Sequence, residues 1–185
     1  MIWIIGSSSQ YSTLVSSLFD NVKKFGRENI DYNKPFDHFI QQQDSLPDKI
    51  FINIKLEEDI AVETDADIDE YKTMFEKFLP IWFWKLKLYT HFYTLGIPCT
   101  ICEVTSSITH WPQNHRIHMP YASLRAISQQ TGFAHGTENL KIFMVSPSNM
   151  DDNNVFEYAQ KTVGWINSPD ECCNKIIDLE HNHIL

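Results

Sequence analysis

Hydroxyl and basic side chains between positions 106 and 125 have the composition of a proton-transfer site. Ser106 and Ser107 end an apolar run, Tyr121 follows a polar stretch, and Arg125 lies four residues after the tyrosine. A phenol has a pKa of about 10, so it exchanges protons poorly near neutral pH unless a nearby positive charge favours the phenolate. Arginine keeps its charge at any physiological pH and would supply it. These residues therefore predict acid–base chemistry if the fold brings them together.

The elements around these residues would place them in one cleft. The run Pro98–Val104 is apolar and β-leaning, as a buried strand requires, and a helix is expected to begin near Tyr121. In open α/β sheets, ligands bind where the carboxyl ends of strands meet the amino ends of helices. We therefore expect Ser106 or Ser107 to face the same cleft as Tyr121.

A second segment with a chemical signature opens the chain. Ile2–Ile5 is continuously apolar, which is typical of a strand buried on both faces of a parallel sheet, and it ends at Gly6. A polar turn with Ser8, Ser9 and Gln10 follows, and apolar residues then recur at helical spacing. Strand, turn and helix in this order form the entry unit of dinucleotide-binding folds, where N–H groups at the helix end meet a pyrophosphate. A tight turn capped by serines explains the same residues, so both interpretations stay open.

The segment Tyr121-Ala-Ser-Leu-Arg125 resembles the Tyr-x-x-x-Lys motif of the short-chain dehydrogenase/reductase family, with arginine in place of lysine. The serine after a strand and Pro147 after a later strand occur in the family's order, so the resemblance covers most of the chain. It implies NAD or NADP as cofactor, with Tyr121 as the acid–base, Ser107 on the substrate carbonyl and Arg125 on the nicotinamide ribose.

Other positions fall on the family's cofactor motifs. Gly6 takes the first glycine of the turn T-G-x-x-x-G-x-G, whereas Gln10 and Ser12 stand at the other two. Asn53 falls on the asparagine of the family's Asn-Ala-Gly, and Pro147 falls on the proline of its Pro-Gly. The resemblance implies that the cofactor contacts Gly6, Ser8, Ser9, Gln10, Asn53 and Pro147.

An acidic residue for the adenosine ribose is expected near the second strand. We predict that strand at Glu28–Tyr32, which puts Asp31 about 20 residues beyond the turn, where NAD-binding proteins carry such an acid. A solvated loop carboxylate is the alternative.

The remaining segments predict one α/β domain over residues 1–185. Strands are expected at Ile50–Ile54 and Leu140–Val145, and helices at Pro35–Gln43, from Asp67 or Asp69 to about Tyr93, at 121–133, at Asn154–Trp165 and from Ser168 onwards. One strand fits between the second and third helices, and none is expected after the last helix. We therefore predict a Rossmann-like three-layer α/β/α sandwich with a mostly parallel sheet, reduced in strand number.

The long helix at 69–93 is apolar nearly all round, and such a helix must be buried on more than one side. The sheet would cover one side. A second subunit would cover another, and the resemblance implies a homo-oligomer formed through the helices at 69–93 and 121–133. The chain's own loops are the alternative cover.

Charge and composition exclude several other classes. The net charge is −9 and the basic residues are scattered, so no nucleic acid or anionic membrane is expected to be held by charge. The amino-terminal residues Met-Ile-Trp-Ile-Ile-Gly lack the basic region of a signal peptide, and no run approaches 18 uninterrupted apolar residues. We expect a cytoplasmic protein without a membrane segment.

The cysteine and histidine patterns do not predict a metal site. Cys99 and Cys102 are three residues apart on a predicted strand, so their thiols would point to opposite faces. His115 and His118 lie in a loop without a carboxylate or cysteine at ligand spacing. A histidine that lines the cleft as a polar wall or proton donor is favoured, with a metal ligand as the alternative.

Two functions remain open. One is an NAD(P)-dependent oxidoreductase acting on a small carbonyl or alcohol. The other is a non-catalytic scaffold or nucleotide-binding protein that keeps the fold. The replaced glycines favour the second. So does the lack of any asparagine between Asn53 and Asn114, where the family carries one for its proton relay.

Overall fold

The computed structural model describes residues 1–6, 8–26, 29–54, 68–105, 126, 129–130, 134, 136–147, 150–181 and 183–184. These residues form, in chain order, β1 (Ile2–Gly6), α1 (Gln10–Ser17), β2 (Val22–Phe25), α2 (Phe36–Ile40), β3 (Lys49–Asn53), α3 (Ile68–Leu95), β4 (Cys99–Val104), β5 (Leu140–Ser146), α4 (Val155–Asn167), β6 (Ile176–Asp178) and β7 (His183–Ile184).

All described strands belong to one sheet, in the order β2-β1-β3-β4-β5-β6-β7. Neighbouring strands run parallel from β2 to β6, and only β7 pairs antiparallel, with β6. The chain leaves β1 first to one side, for β2, and then to the other, for β3. The order therefore reverses between β1 and β3, which is where open α/β sheets bind ligands.

Alternation along the strands divides the core between the two faces of the sheet. Trp3 and Ile5 of β1 pack with α2 and α3, whereas Ile2 and Ile4 pack with α1 and α4. Strands buried on both faces are mostly apolar, and β1 is an example. The predicted three-layer α/β/α sandwich with a mostly parallel sheet is confirmed. So is the prediction for the two thiols, since Cys99 belongs to one core and Cys102 to the other.

Most predicted elements lie within a few residues of their observed bounds, but the second strand does not. We predicted it at Glu28–Tyr32, and it forms at Val22–Phe25. Val22 continues the helical spacing of the apolar residues after the first turn, but α1 ends at Ser17. Two consecutive lysines, Lys23 and Lys24, interrupt the apolar pattern by which a strand is recognised in a sequence. Lysines are common in strands at the open edge of a sheet.

The predictions for the residues from Ser168 onwards were also wrong. No helix begins at Ser168, and turns cover positions 170–174 instead. Asn174 adopts φ +63°, a left-handed conformation that Asn tolerates, and its backbone N–H donates to the Ile142 carbonyl at 2.6 Å. This bond joins the chain to the sheet, so the strand that we expected to be missing forms as β6.

Two other expectations concern α3 and its surroundings. Among the described residues, β3 is the one strand between α2 and α3, as predicted. The predicted helix at 121–133 lies mostly outside the described residues, of which Ala126, Gln129 and Gln130 are helical. No helix in the described part of the chain combines the length and apolar character needed to cross a bilayer.

Three glycines in different surroundings provide a test of this geometry. A Cβ on Gly6 would lie 2.3 Å from the Asn53 carbonyl oxygen, and its φ is +112°. We expect Gly6→Ala to lower the free energy of unfolding by at least about 2 kcal/mol, because backbone strain adds to the steric overlap. The measurement is urea denaturation followed by circular dichroism.

The other two glycines serve as matched controls. Gly96 has φ +63° and no atom within 4 Å of the added Cβ, so Gly96→Ala should cost only about 1–2 kcal/mol of left-handed strain. Gly164, inside α4, also has free space, and alanine there should stabilise by about 0.5–1 kcal/mol. Equal effects at Gly6 and Gly96 would contradict the close approach of β1 to β3.

Candidate functional site

The carboxyl ends of the parallel strands lie side by side along one edge of the sheet. In register, Gly6 of β1 pairs with Asn53 of β3, and Val104 of β4 pairs with Val145 of β5. Pro147 follows β5 directly. Three residues predicted to contact a cofactor, Gly6, Asn53 and Pro147, therefore share this edge, with the reversal point between the first two.

The absence of a side chain at Gly6 allows β1 and β3 to meet closely. Any Cβ there would overlap the carbonyl of Asn53 and approach the backbone nitrogen of Ile54 to 2.9 Å. The glycine is thus required by the backbone packing itself, whether or not a phosphate approaches the turn.

The turn between β1 and α1 is tied to β3 by three polar side chains. Ser9 caps α1 by accepting a hydrogen bond from the Ser12 backbone N–H at 3.1 Å. The Asn53 side-chain amide donates to the hydroxyl oxygens of Ser9 at 3.1 Å and Ser12 at 2.7 Å. Ser12 is buried, and Asn53 is half-buried. Two residues predicted as cofactor contacts, Ser9 and Asn53, are therefore together, and both already bond within the chain.

The solvent-facing side of this turn is formed by exposed residues. Ser8 and Gln10 are exposed, and the first turn of α1 carries no acidic residue. The partial positive charge at the helix amino end is therefore not neutralised by an acidic side chain of α1 itself. This arrangement suits an anion such as a phosphate.

Tyr11, next in the chain, is turned away from the edge and does not fill the turn. Its ring packs edge-on against Phe51, and its hydroxyl bonds to that of Thr162 in α4 at 2.5 Å. Burial raises the pKa of this phenol far above its usual value, against the smaller opposing effect of the Thr162 hydrogen bond. Tyr11 is therefore a neutral packing residue and not an acid–base.

Asp31 lies in a turn after β2 instead of in a strand. Its exposed carboxylate is 3.5 Å from the Lys34 ammonium and accepts a hydrogen bond from the Asn33 backbone N–H. Since β2 ends at Phe25, Asp31 is six residues past the strand end. A ribose contact by Asp31 stays a prediction, and the strand that was expected to carry it is elsewhere.

The predicted catalytic residues lie outside the described part of the chain. These are Ser107, or its neighbour Ser106, together with Tyr121 and Arg125. The last described residue before them is Thr105, which directly follows β4. The histidines at positions 110, 115, 118 and 135 also lie outside it.

Sequence reasoning missed a buried charged group at the same end of β4. Glu103 accepts hydrogen bonds from Lys85 and Tyr89 of α3, and all three side chains are buried. The available signal was a charge inside an apolar stretch, since Glu103 interrupts β4 and Lys85 interrupts the apolar middle of α3. Nothing in the sequence indicated that the two would pair.

Asp178, Glu180 and His181 bring potential metal-ligand atoms together at the end of β6. The Asp178 carboxylate already accepts from the backbone N–H groups of Glu180 and His181 and bonds the His181 ring at 3.0 Å. Burial acts to raise the pKa of Asp178, but these hydrogen bonds outweigh it and the pKa is lowered. The hydrogen bond to Asp178 raises the pKa of His181. The cluster is explained as a turn that closes onto β7.

A cavity of about 450 Å³ lies between the segment 32–37 and α3. Its described wall includes Phe36, Phe83 and Trp84 beside Lys34 and Lys87. Among the described residues that line it there is no predicted cofactor contact. The described wall thus combines aromatic side chains with two lysines.

The sheet order, the reversal at β1 and the helices on both faces define a Rossmann-like α/β protein. No protein-family model matches the sequence, and no curated protein matches it. The structure does match solved structures of short-chain dehydrogenases/reductases over nearly its whole length.

Three of these matches illustrate the likeness. A short-chain dehydrogenase/reductase from Vibrio parahaemolyticus is 15% identical, with a TM-score of 0.67 and coverage of 96% of this chain and 100% of that one. 4-Hydroxyisoleucine dehydrogenase, complexed with NADH and succinate, has the same identity and TM-score, with 96% of each chain covered. ElxO with NADP bound is 10% identical, with a TM-score of 0.71 and 96% of each chain covered. At these identities the likeness shows that the fold is that of short-chain dehydrogenase/reductase structures.

The serine cap makes a local prediction about the turn. Removing the Ser9 hydroxyl would leave the Ser12 backbone N–H without its acceptor, so Ser9→Ala should lower the free energy of unfolding by about 1 kcal/mol. Ser8→Ala, at an exposed neighbouring position, is the matched control and should change it by less than about 0.5 kcal/mol. The measurement is the urea concentration at the unfolding midpoint of each variant. Equal decreases in the two midpoints would show that the Ser9 cap does not stabilise α1.

Proposed function

We propose that this protein binds a nicotinamide dinucleotide at the β1–α1 turn and acts as an NAD(P)-dependent oxidoreductase on a small carbonyl or alcohol. One observation carries the proposal. The amino end of α1, without an acidic side chain in its first turn, lies at the reversal point of a sheet whose fold matches structures solved with NADH and with NADP.

The proposed chemistry assigns roles to the residues after β4. Ser107, or Ser106, would hold the substrate carbonyl, Tyr121 would transfer the proton, and Arg125 would contact the ribose and favour the phenolate. Gly6, Ser8, Ser9, Gln10, Asn53 and Pro147 would contact the cofactor, with Asp31 on the adenosine ribose. The residues at the turn and at the ends of β3 and β5 supply the edge on which the cofactor would lie. The nicotinamide itself would supply the hydride.

A second function is supported by the contacts within the turn. The Asn53 amide and the Ser9 hydroxyl bond to each other, and Ser12 stands at a position where the family carries glycine. A non-catalytic protein that keeps the fold as a scaffold, or that binds nucleotide without turnover, would show such a turn. All four cysteines are free thiols, which supports a reducing compartment such as the cytoplasm for either function.

Nucleotide titration separates the two functions. The chain has five tryptophans, so the change in their fluorescence on adding NADH or NADPH reports binding. We expect saturation with one of the two. No saturable change with either would remove the proposed cofactor and with it the oxidoreductase.

If binding is found, a variant pair tests catalysis with a panel of small aldehydes and ketones. Tyr121→Phe should reduce NAD(P)H consumption at least 100-fold and leave nucleotide binding unchanged, because general acid–base catalysis contributes about 10²–10⁴-fold. Tyr93→Phe, at an exposed tyrosine of α3, is the control and should keep full turnover. Wild-type turnover after Tyr121→Phe would contradict the assigned role, and binding without turnover in the wild type would favour the scaffold.

We further propose that α3 mediates self-association. Leu79, Phe83 and Tyr93 are 44%, 54% and 46% exposed and lie within about 40° of one line along the helix. Leu86 and Thr90, on the same line, are half-buried. An exposed apolar stripe of this kind is typical of a surface that another helix covers.

Sedimentation velocity tests this proposal. We expect a dimer for the wild type and at least a tenfold weaker association after Phe83→Glu, because a charge would be buried in the apolar contact. Phe156→Glu, at a phenylalanine of α4 that is 48% exposed, is the matched control and should leave the dimer intact. A wild-type monomer would contradict the proposal.

A further inference from the structure

A buried polar group joins α3 to the carboxyl end of β4. The side chains of Lys85 and Glu103 are 2% and 6% exposed, and Tyr89 is 1% exposed. The Lys85 ammonium donates to one oxygen of the Glu103 carboxylate, and the Tyr89 hydroxyl donates to the other at 2.6 Å. Both oxygens of the carboxylate are therefore held from α3.

Several described neighbours of this group are buried apolar side chains. Ile52 of β3 and Met144 of β5 pair with Glu103 in register and are buried beside it. On the helix side, Trp84 and Leu88 belong to the same core. Taking two charges out of water has a large free-energy cost, and apolar side chains of similar volume are often as stabilising as a buried ion pair. Net stability is therefore a poor explanation for the group.

Such a group can fix the orientation of α3 relative to the sheet. Apolar contacts do not depend on orientation, so they allow α3 to slide or rotate over the sheet. Lys85 and Tyr89 are one helical turn apart and bind the two oxygens of a single carboxylate. Hydrogen bonds need defined distances and angles, so the pair determines both the height and the rotation of α3 against β4.

The end of β4 beyond Glu103 is held by few polar contacts of its own in the structure described. Thr105 lies two residues beyond Glu103 and directly follows β4. Its backbone N–H donates to the Val145 carbonyl at 2.9 Å, while its buried side-chain hydroxyl has no hydrogen-bond partner in the structure described. An unpaired buried hydroxyl is unfavourable, so interactions elsewhere must hold this end of the strand in place.

We infer that Lys85 and Tyr89 are positioning residues that act through Glu103 on the end of β4. They set the depth at which Thr105 is held at the carboxyl edge, and Ser106 and Ser107 are the next two residues in the sequence. This inference rests on the proposed function, in which those hydroxyls hold the substrate carbonyl.

The main experiment removes both charges without leaving one unpaired. In the double variant Lys85→Met/Glu103→Leu, we expect a urea midpoint close to that of the wild type. Amide hydrogen exchange at Thr105 should rise at least tenfold while exchange at Ile101, in the middle of β4, stays unchanged. If the group were merely structural, the midpoint would fall and exchange would rise along all of β4, which would overturn the inference.

A functional readout accompanies the exchange measurement. For a substrate found in the aldehyde and ketone panel, kcat should fall at least tenfold while the dissociation constant of the nucleotide changes less than threefold. Turnover equal to the wild type, despite faster exchange at Thr105, would overturn the positioning role. If the wild type binds no nucleotide, the proposed function fails by that result alone, and the exchange data still decide whether the group holds the strand end.

Two further variants keep the test decisive. Tyr89→Phe removes the hydroxyl that donates to Glu103 and keeps the ring. It should also raise amide hydrogen exchange at Thr105, and this can be measured even if the double variant does not fold. Lys72→Ala/Asp69→Ala removes an exposed ion pair of the same helix, 2.8 Å long, and should change neither exchange nor turnover. A matching effect from this control would show that any change in α3 moves Thr105, and the inference would fail.

Discussion

The rest of the structure depends on how closely β1 approaches β3. At Gly6 the two backbones leave no space for a Cβ, and the left-handed φ of this residue turns the chain away from the sheet immediately afterwards. That turn directs α1 onto the face opposite α2 and α3. It also places the amino end of α1 beside Asn53, whose amide then bonds to the serines of the turn. The candidate site is thus a direct consequence of one packing constraint.

Polar groups that are buried in this protein concentrate near the carboxyl edge of the sheet. Ser12 and Thr105 are buried there, and Glu103 lies just below. Burying such groups is unfavourable unless they are hydrogen-bonded, and proteins tend to accept the arrangement where a function requires it. The opposite end of the sheet, around Trp3, Phe39 and Phe92, is held by aromatic packing. Buried polar groups and aromatic packing therefore predominate at opposite ends of the strands.

Fold and chemistry are supported by different kinds of observation. The sheet order and the match to short-chain dehydrogenase/reductase structures establish the architecture at 10–15% identity. The same architecture accommodates many activities, so the chemistry must be argued from side chains. Here the exposed amino end of α1 suits an anion. The turn before it is already stabilised by hydrogen bonds from Asn53 to Ser9 and Ser12. Such a turn can bind a nucleotide without hydride transfer, so the two are separate properties.

The sequence by itself determined the strands that are buried on both faces. Ile2–Ile5 is continuously apolar, and Cys99–Val104 and Leu140–Val145 are mostly apolar. This signal is local, so it needs no knowledge of neighbours. The tertiary structure alone decided the position of β2, because Val22–Phe25 becomes a strand by pairing with β1 and not by its own pattern.

The same holds for β6, which has three residues, and for the partnership of Lys85 with Glu103, 18 positions apart. Pairing of this kind is set by which surfaces the folded chain brings together. A single sequence carries no local signal for it, since the partners lie in different elements and meet only when α3 packs on the sheet.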